Sequence, residues 1–200
     1  MEAREDQISE VPQAQSQQQS RIGCELWDIM RVLLISLAIV LPIRYFLVQP
    51  FIVRGASMEP TFEDSEYLIV DEISYYVRPP ARGEVVVFRY PRDQSQFFIK
   101  RIMGLPGEEV DIKSGHVTIV NAEHPAGFVV NEPYLDPPNR PTYPDVRRTL
   151  GVDEYFVLGD NRDFSSDSRI WGILPKKLIT GRTLLRVWPV SRLGVVTATR

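Results

Sequence analysis

Two kinds of hydrophobic pattern run along the chain. Residues 27–48 read WDIMRVLLISLAIVLPIRYFLV, an apolar segment whose uncharged centre extends from Val32 to Ile43. Beyond it, short runs rich in β-branched and aromatic residues recur between turns that carry glycine and proline, a pattern typical of antiparallel strands. The sequence therefore predicts one N-terminal helix followed by a mainly β domain.

The strand pattern sets the predicted boundaries of this domain, 49–200. Its strand-like runs are EYLIVD, GEVVVFRY, FFIKRIM, HVTIV, YFVLGD and RTLLRVW. Residues 131–153 contain repeated prolines, so we expect a long surface excursion with little regular structure there. Residues 1–26 are rich in glutamine, serine and scattered charges, and we expect a disordered polar tail.

The apolar segment at 27–48 is short for a membrane span, which takes about 20 residues. That length is reached only if Arg31 and Arg44 extend to the headgroups and aromatic residues lie at the interfaces. A buried core helix and a secretory signal peptide are the alternatives, but a signal peptide needs small residues at its exit, where this chain reads FLVQPF. We predict an uncleaved transmembrane anchor, whose orientation the mixed flanking charges do not decide.

Composition argues against several classes of function. The formal net charge of −3 provides no basic field for a phosphate backbone, so no nucleic-acid partner is expected. The single cysteine, Cys24, cannot form an intrachain disulfide. Two histidines, His116 and His124, are too few for the usual metal-ligand set, and neither a metal nor a cofactor is expected.

Ser57 is the first candidate for chemistry, in the segment FIVRGASMEPTF just beyond the apolar stretch. The small residues Gly55 and Ala56 would let a peptide backbone approach, and Pro60 restrains the chain that follows. No G-x-S-x-G elbow surrounds this serine and no lysine follows three residues on, which sets aside two familiar serine-enzyme classes. Taken alone, a serine that caps a turn is the simpler interpretation.

A nucleophilic hydroxyl needs a base, and Lys100 is the candidate because both histidines are poorly placed. Strand alternation puts Phe98, Lys100 and Ile102 on one face, which gives the amine apolar neighbours. Burial disfavours an ammonium, and each unit by which the pKa falls from about 10.4 raises the neutral fraction tenfold. Taken alone, a lysine that extends from a sheet edge into water is the simpler interpretation.

A third polar cluster lies in LGDNRDFSSDSRIWG, after an apolar strand. Its charged residues are Asp160, Arg162, Asp163, Asp167 and Arg169. Acidic and basic side chains at such spacing can pair and brace a loop, while a serine hydroxyl can orient a neutral amine. A plain turn rich in aspartate and asparagine is the alternative.

Taken together, these segments are more informative about function than any one of them alone. The strings SMEPT, RGEVVVF, FIKRIMGLPGE and GDNRDFSSDSR, in this order after an apolar anchor, closely resemble type I signal peptidase, peptidase family S26. This family of membrane-bound Ser-Lys endopeptidases removes secretory signal peptides, and the resemblance spans most of Trp27 to Val190. It implies that Ser57 is the nucleophile, Lys100 the general base, and Ser165 a hydrogen-bond partner that orients the lysine amine.

The resemblance also implies a supporting ion-paired framework with Asp167 nearest the dyad. Its members would be Asp160, Arg162, Asp167 and Arg169. Two positions depart from the family pattern: Gly55 stands where some members have an oxyanion-binding serine, and Phe164 stands where asparagine is common. We therefore expect the oxyanion hole to use the Ser57 backbone N–H, with any second contribution near Gly55 from backbone or water.

Substrate and location follow as further expectations from the resemblance. The substrates would be preproteins with small residues before the cleavage site, bound in shallow pockets for which Ile52, Val53 and Phe98 are the expected lining. The enzyme would be a single-pass protein of the plasma membrane, or of a thylakoid, with its catalytic domain on the extracytoplasmic side of the bilayer. Trp171 and Trp188-Pro189 are expected either at the lipid interface or in the core.

Two other interpretations remain open on the sequence. A membrane-tethered β domain that binds peptides or assembles an envelope complex would use Ser57 and Lys100 only as structural residues. A self-cleaving DNA-binding repressor shares the Ser-Lys chemistry but needs a helix-turn-helix, which the Gln-rich tail and the apolar segment do not provide. The distance between Ser57 Oγ and Lys100 Nζ is the most informative single observation.

Overall fold

The computed structural model describes residues 27–40 and 48–196. The chain divides into two compact units, one ending at Arg44 and the other beginning at Tyr45. In the first unit, residues 27–40 form a helix, α1. No helix within the described ranges is both long and apolar enough to cross a bilayer.

Some predictions fall outside the described residues. The predicted tail at 1–26 is one of them, and residues 41–47 of the predicted anchor are another. The transmembrane helix is therefore not confirmed.

The second unit is mainly β. Its strands are β1 (Val48–Ile52), β2 (Tyr67–Asp71), β3 (Val85–Tyr90), β4 (Asp93–Gly104), β5 (Glu109–Lys113), β6 (His116–Val120), β7 (Phe128–Val129), β8 (Val146–Thr149), β9 (Glu154–Leu158), β10 (Leu174–Pro175), β11 (Ile179–Trp188) and β12 (Gly194–Val195). Two short α-helices, α2 (Ser74–Val77) and α3 (Ser168–Trp171), and 3-10 turns at Lys176–Leu178 and Val190–Arg192 complete the described elements.

The strands form two antiparallel sheets, which confirms the predicted fold class. The larger sheet has the order β1-β2-β11-β3-β4-β9-β10, with β12 added beside β11, and the smaller has the order β7-β6-β5-β8. In the larger sheet, Lys100 of β4 pairs with Val86 of β3, and Arg101 pairs with Leu158 at the end of β9. The polar loop that follows β9 therefore starts beside the strand that carries Lys100.

Three apolar clusters hold the sheets together. The first joins β3, β4 and β9 to α3 through Val86, Phe88, Ile102, Tyr155, Val157, Trp171, Leu174 and Leu178. The second connects the smaller sheet to the larger through Met103, Val110, Ile112, Val117, Ile119, Leu150, Phe156 and Leu158. The third packs Val53, Met58, Phe62, Leu68 and Val85 beneath the turn after β1. Trp171 is thus a core residue, whereas Trp188 is 55% exposed.

The Pro-rich excursion differs from the prediction at its C-terminal end. Residues 131–145 form no helix or strand beyond one isolated bridge, as the prolines led us to expect. Val146–Thr149, however, form β8, which pairs with β5. This end of the excursion has no proline, so every residue of β8 has the backbone N–H that a ladder requires.

Candidate active site

Ser57 lies in the turn between β1 and β2, on a well-packed base. Gly55 has φ +82°, a left-handed conformation that favours glycine, and its N–H donates to Asp64 Oδ1 at 2.7 Å. Met58 and Phe62 are fully buried, and the Phe62 N–H donates to the Met58 carbonyl at 2.8 Å. The turn is therefore fixed from below while Ser57 itself stays partly exposed.

Lys100 Nζ and Ser57 Oγ are 2.7 Å apart. At that distance an ammonium donates to the hydroxyl, and a neutral amine can accept the hydroxyl proton. The amine also donates to the Ile99 carbonyl at 2.9 Å, and Lys100 is only 3% exposed. The sequence analysis predicted this contact, which joins residues 43 positions apart in the chain.

Burial lowers the pKa of Lys100 to about 8. The negative charges of Asp167 and Asp160 oppose this shift, and the Arg169 guanidinium adds to it. At a pKa of about 8, roughly a tenth of the amines are neutral at pH 7, compared with well under about 0.1% of an exposed lysine. The site therefore supplies a usable base where an ordinary lysine would not.

Asp160 is held by Arg101, the residue next to Lys100 in β4. Arg101 Nε donates to Asp160 Oδ1 at 2.9 Å, and Nη2 donates to Oδ2 at 2.5 Å. The Thr61 hydroxyl also donates to Asp160 Oδ2, at 2.6 Å. Asp160 is thus ion-paired, but its partner Arg101 lies outside the predicted framework, because β4 and β9 are neighbours and bring Arg101 to the start of the loop.

Arg162 likewise pairs outside its own loop. Its guanidinium makes a two-pronged ion pair with Glu132 of the Pro-rich excursion and donates to the Thr142 hydroxyl. Its Nε donates to the Gly159 carbonyl at 3.0 Å. Arg162 therefore braces the excursion against the loop, a role that the sequence did not suggest.

Asp167 and Arg169 pair with each other, as predicted. Arg169 Nε and Nη2 each donate to an Asp167 oxygen at 2.8 Å. Asp167 is fully buried, caps α3 by accepting the Arg169 N–H, and accepts the Gly159 N–H at 3.1 Å. Of the two carboxylates that act on Lys100, Asp167 has the larger effect on its pKa.

Ser165 does not make the predicted hydrogen bond to the lysine amine. Its Oγ is buried, and among the described residues it has no hydrogen-bond partner. The amine instead contacts Ser57 Oγ and the Ile99 carbonyl. Ser165 packs against Gly159.

Gly159 is a site residue that sequence reasoning missed. A Cβ added there would lie 2.1 Å from Ser165 Oγ and 2.5 Å from the Ser57 carbonyl oxygen. The Asn161 N–H donates to the same carbonyl at 3.1 Å. Only a residue without a side chain lets this loop approach the backbone of Ser57 so closely.

The backbone around Ser57 offers one oxyanion donor. Within the part of the chain that the structure describes, the Ser57 N–H has no hydrogen-bond partner. The Gly55 N–H is already bonded to Asp64, so the expected second contribution cannot come from that amide as it stands. A Cβ at Gly55 would meet nothing within 4 Å, which leaves open space beside the serine.

A cleft of about 770 Å³ opens at the dyad. Ser57, Lys100 and the three expected lining residues Ile52, Val53 and Phe98 all border it. Further lining comes from Phe51, Phe97, Phe164 and Ser166. Phe164 is 75% exposed, so a large apolar ring stands at the cleft where the family pattern has asparagine.

Comparisons with known proteins identify the family of the chain. The model of the family described as signal peptidase, peptidase S26, matches residues 26–188. A probable signal peptidase I-2 of Synechocystis sp. is 37% identical over 176 residues, covering 85% of this chain and 77% of that protein. A signal peptidase I of Leptolyngbya laminosa is 36% identical over 194 residues, covering 92% of this chain and 91% of that protein.

A crystal structure of a signal peptidase I from Enterococcus faecalis V583 is 30% identical in sequence, with a TM-score of 0.45, and covers 52% of this chain and 97% of that one. The family match extends over most of the chain, and both cyanobacterial relatives align with more than two thirds of it. The chain therefore belongs to the signal peptidase family, peptidase S26.

Proposed function

We propose that the protein is a serine endopeptidase that removes N-terminal signal peptides from exported preproteins with Ser57 as nucleophile and Lys100 as general base. The contact of 2.7 Å between Ser57 Oγ and Lys100 Nζ carries this proposal. The lowered pKa of the buried amine supports the role of base, and membership of the family supports the reaction.

The reaction runs through an acyl-enzyme. Neutral Lys100 takes the Ser57 proton as the hydroxyl attacks the peptide carbonyl, and the oxyanion accepts a hydrogen bond from the Ser57 N–H. The lysine then gives its proton to the amine of the leaving mature protein. In the second half, Lys100 takes a proton from water, whose oxygen attacks the ester. The bond to Ser57 Oγ then breaks, Lys100 returns the proton to that oxygen, and the signal peptide leaves with a free carboxylate.

The cleft suits an extended peptide with small residues at the cleavage site. Val53 is buried at the cleft wall, while Ile52 and Phe98 add apolar surface beside the dyad. Apolar pockets formed by these side chains would admit alanine. This fits cleavage after small residues, as the family resemblance implies.

We also propose that residues 27–48 anchor the enzyme in the plasma membrane, or in a thylakoid membrane, with the catalytic domain on the extracytoplasmic side. Helix α1 supports this, because apolar side chains such as Leu33, Leu34 and Ile39 are more than half exposed. In the catalytic unit, exposed Trp188 and Leu193 offer apolar contacts for lipid. Tethering would raise the effective concentration of membrane-held substrates.

Cleavage of a preprotein by the full-length protein in detergent tests the proposal. Ser57→Ala and Lys100→Met should each abolish processing, whereas Ser65→Ala and Lys113→Met, on exposed residues outside the dyad, should process at the parental rate. If Ser57→Ala and Lys100→Met fold and still process at that rate, the domain is a binding or assembly module and the dyad assignment is wrong.

A further inference from the structure

Arg186 of β11 contacts the turn that carries Ser57 from outside the cleft. Its Nη2 donates to the Thr61 carbonyl at 2.5 Å, and its guanidinium carbon lies 5.1 Å from the centre of the Phe62 ring. Arg186 does not line the cleft of the dyad; it borders a separate cavity of about 240 Å³ together with Thr61. A substrate in the cleft would not touch it.

Thr61 connects Arg186 to the loop after β9. While its carbonyl accepts from Arg186, its hydroxyl donates to Asp160 Oδ2 at 2.6 Å. Asp160 is one of the two carboxylates whose charge acts on the pKa of Lys100. One residue of the serine turn is therefore held at its backbone by Arg186 and holds Asp160 through its side chain.

Arg186 is itself fixed by a buried acid. Its Nε lies 3.0 Å from Glu66 Oε2, and the other Glu66 oxygen lies 2.8 Å from Arg192 Nη1. Arg192 also donates to the Pro60 carbonyl at 3.2 Å. The Glu66 side chain is only 2% exposed, so water screens its attraction to the two guanidinium groups less than it does in a surface ion pair. Glu66 Oε2 and Arg186 Nε nevertheless form this contact as an ion pair without hydrogen-bond geometry.

We propose that Arg186 is a positioning residue for the peptidase reaction, acting through Thr61 on both Ser57 and Asp160. The proposal rests on the dyad assigned above. By fixing the Thr61 carbonyl, Arg186 sets the direction of the hydroxyl toward Asp160 and the position of the serine turn relative to Lys100. Proton transfer and attack depend steeply on such alignment, so a loose turn lowers the rate of chemistry without weakening substrate binding.

The chain contains a matched control for Arg186. Arg182 lies on the same strand and forms a similar, partly buried pair in which its Nε donates to Asp71 Oδ2 at 3.0 Å. Its partners among the described residues, Asp71, Ser74 and Glu84, all lie outside the serine turn. Arg186→Gln should lower kcat roughly ten- to a hundredfold with KM unchanged, Arg186→Lys should restore part of that loss, and Arg182→Gln should match the parent in both constants.

A double-mutant cycle with Thr61→Val distinguishes positioning from plain stabilisation. Thr61→Val removes the hydroxyl that donates to Asp160, so it should lower kcat by itself. Adding Arg186→Gln to Thr61→Val should then lower kcat by a much smaller factor than Arg186→Gln does in the parent. Thermal unfolding of each variant is measured alongside. If kcat losses only follow the loss of stability, or the two substitutions add in full, Arg186 has no positioning role.

The experiments distinguish failure of the positioning role of Arg186 from failure of the dyad assignment. If Ser57→Ala is inactive while Arg186→Gln and Arg182→Gln behave alike, the positioning role alone fails. If Ser57→Ala is active, the dyad assignment fails first. Should Arg186→Gln not fold, Arg186→Lys and Thr61→Val decide the question, because a parental kcat in both would overturn the inference.

Discussion

Arg101 binds both carboxylate oxygens of Asp160, and it is the residue that follows Lys100 in β4. Successive side chains of a strand point to opposite faces, so one residue supplies the base to the cleft and the next secures the loop after β9 from the other face. The pair is almost completely buried, with side-chain exposures of 2% and 0%. The position of the loop relative to the base is thereby set within a single dipeptide.

The pH dependence of cleavage should report the pKa of Lys100. Only the neutral amine accepts the Ser57 proton, so kcat/KM should fall as pH drops through about 8 and should level off above it. A profile measured on a preprotein across neutral and alkaline pH checks this. A midpoint near the ordinary lysine value of 10.5, or no titration at all, would contradict the burial of the base.

Lys100→Met should stabilise the protein near pH 7 even though it abolishes activity. The pKa of this group is lower in the folded state than in the unfolded state, so folding near neutral pH places an ammonium in a site that disfavours it. The parent therefore gains stability as pH rises from about 8 to 10.5, and the advantage of the variant should shrink over that range. Denaturant unfolding at several pH values measures the difference in the free energy of unfolding between Lys100→Met and the parent, with the exposed Lys113→Met as control. A difference that does not change with pH would count against the prediction.

Gly159→Ala should inactivate the enzyme. The added methyl would lie 2.5 Å from the Ser57 carbonyl and 2.1 Å from Ser165 Oγ, so the serine turn or the loop must move. A displacement of about 1 Å is enough to cost about a hundredfold in rate, and overpacking costs about 1–3 kcal/mol of stability. Gly151→Ala is the matched control, because the atoms nearest to the methyl there belong to the Glu154 side chain, at 3.0 Å or more. Equal activity of the two variants would show that the close approach is not needed.

Asp160→Asn should shift the pH profile toward lower pH. The Asp160 charge raises the pKa of Lys100, so its removal should lower the apparent pKa of the rate, and Arg101 loses its ionic partner as well. Removing one charge of a buried ion pair costs about 3–5 kcal/mol. The comparison is Asp163→Asn, which breaks a pair with the partly exposed Arg140 on the surface and whose profile should match the parent. An upward shift for Asp160→Asn would refute the electrostatic assignment.

Sequence reasoning predicted the mainly β fold from local signals, and it predicted that Ser57 and Lys100, the proposed reacting residues, lie in contact. Alternating β-branched runs predicted strands, and the same alternation predicted that Lys100 faces apolar neighbours. The pairing of β4 with β3 places Lys100 inside the larger sheet. Its contact with Ser57 depends on the packing of Met58 in the serine turn against Val85 of β3 and Ile99 of β4. Motif order contributed the choice of Ser57 and Lys100 among other serines and lysines.

The ion-pair partners of Asp160 and Arg162 could not be predicted from the sequence. Proximity along the chain favours pairing within the loop, whereas the actual partners come from β4 and from the Pro-rich excursion. Strand order decides the first pair, and the irregular path of residues 131–145 decides the second. No periodic pattern reports either. The sequence did not reveal the role of Gly159 either, because a close approach between two distant segments produces no pattern in the sequence of either segment.

Glu132 and Thr142 bind the same guanidinium, that of Arg162. The segment between them is therefore a loop closed at its base, with an exposed tip at residues 136–139. Chain inserted at this tip would lengthen a loop whose ends are already joined, which costs little entropy. The excursion thus offers a place where a label or a recognition peptide could be carried without disturbing catalysis.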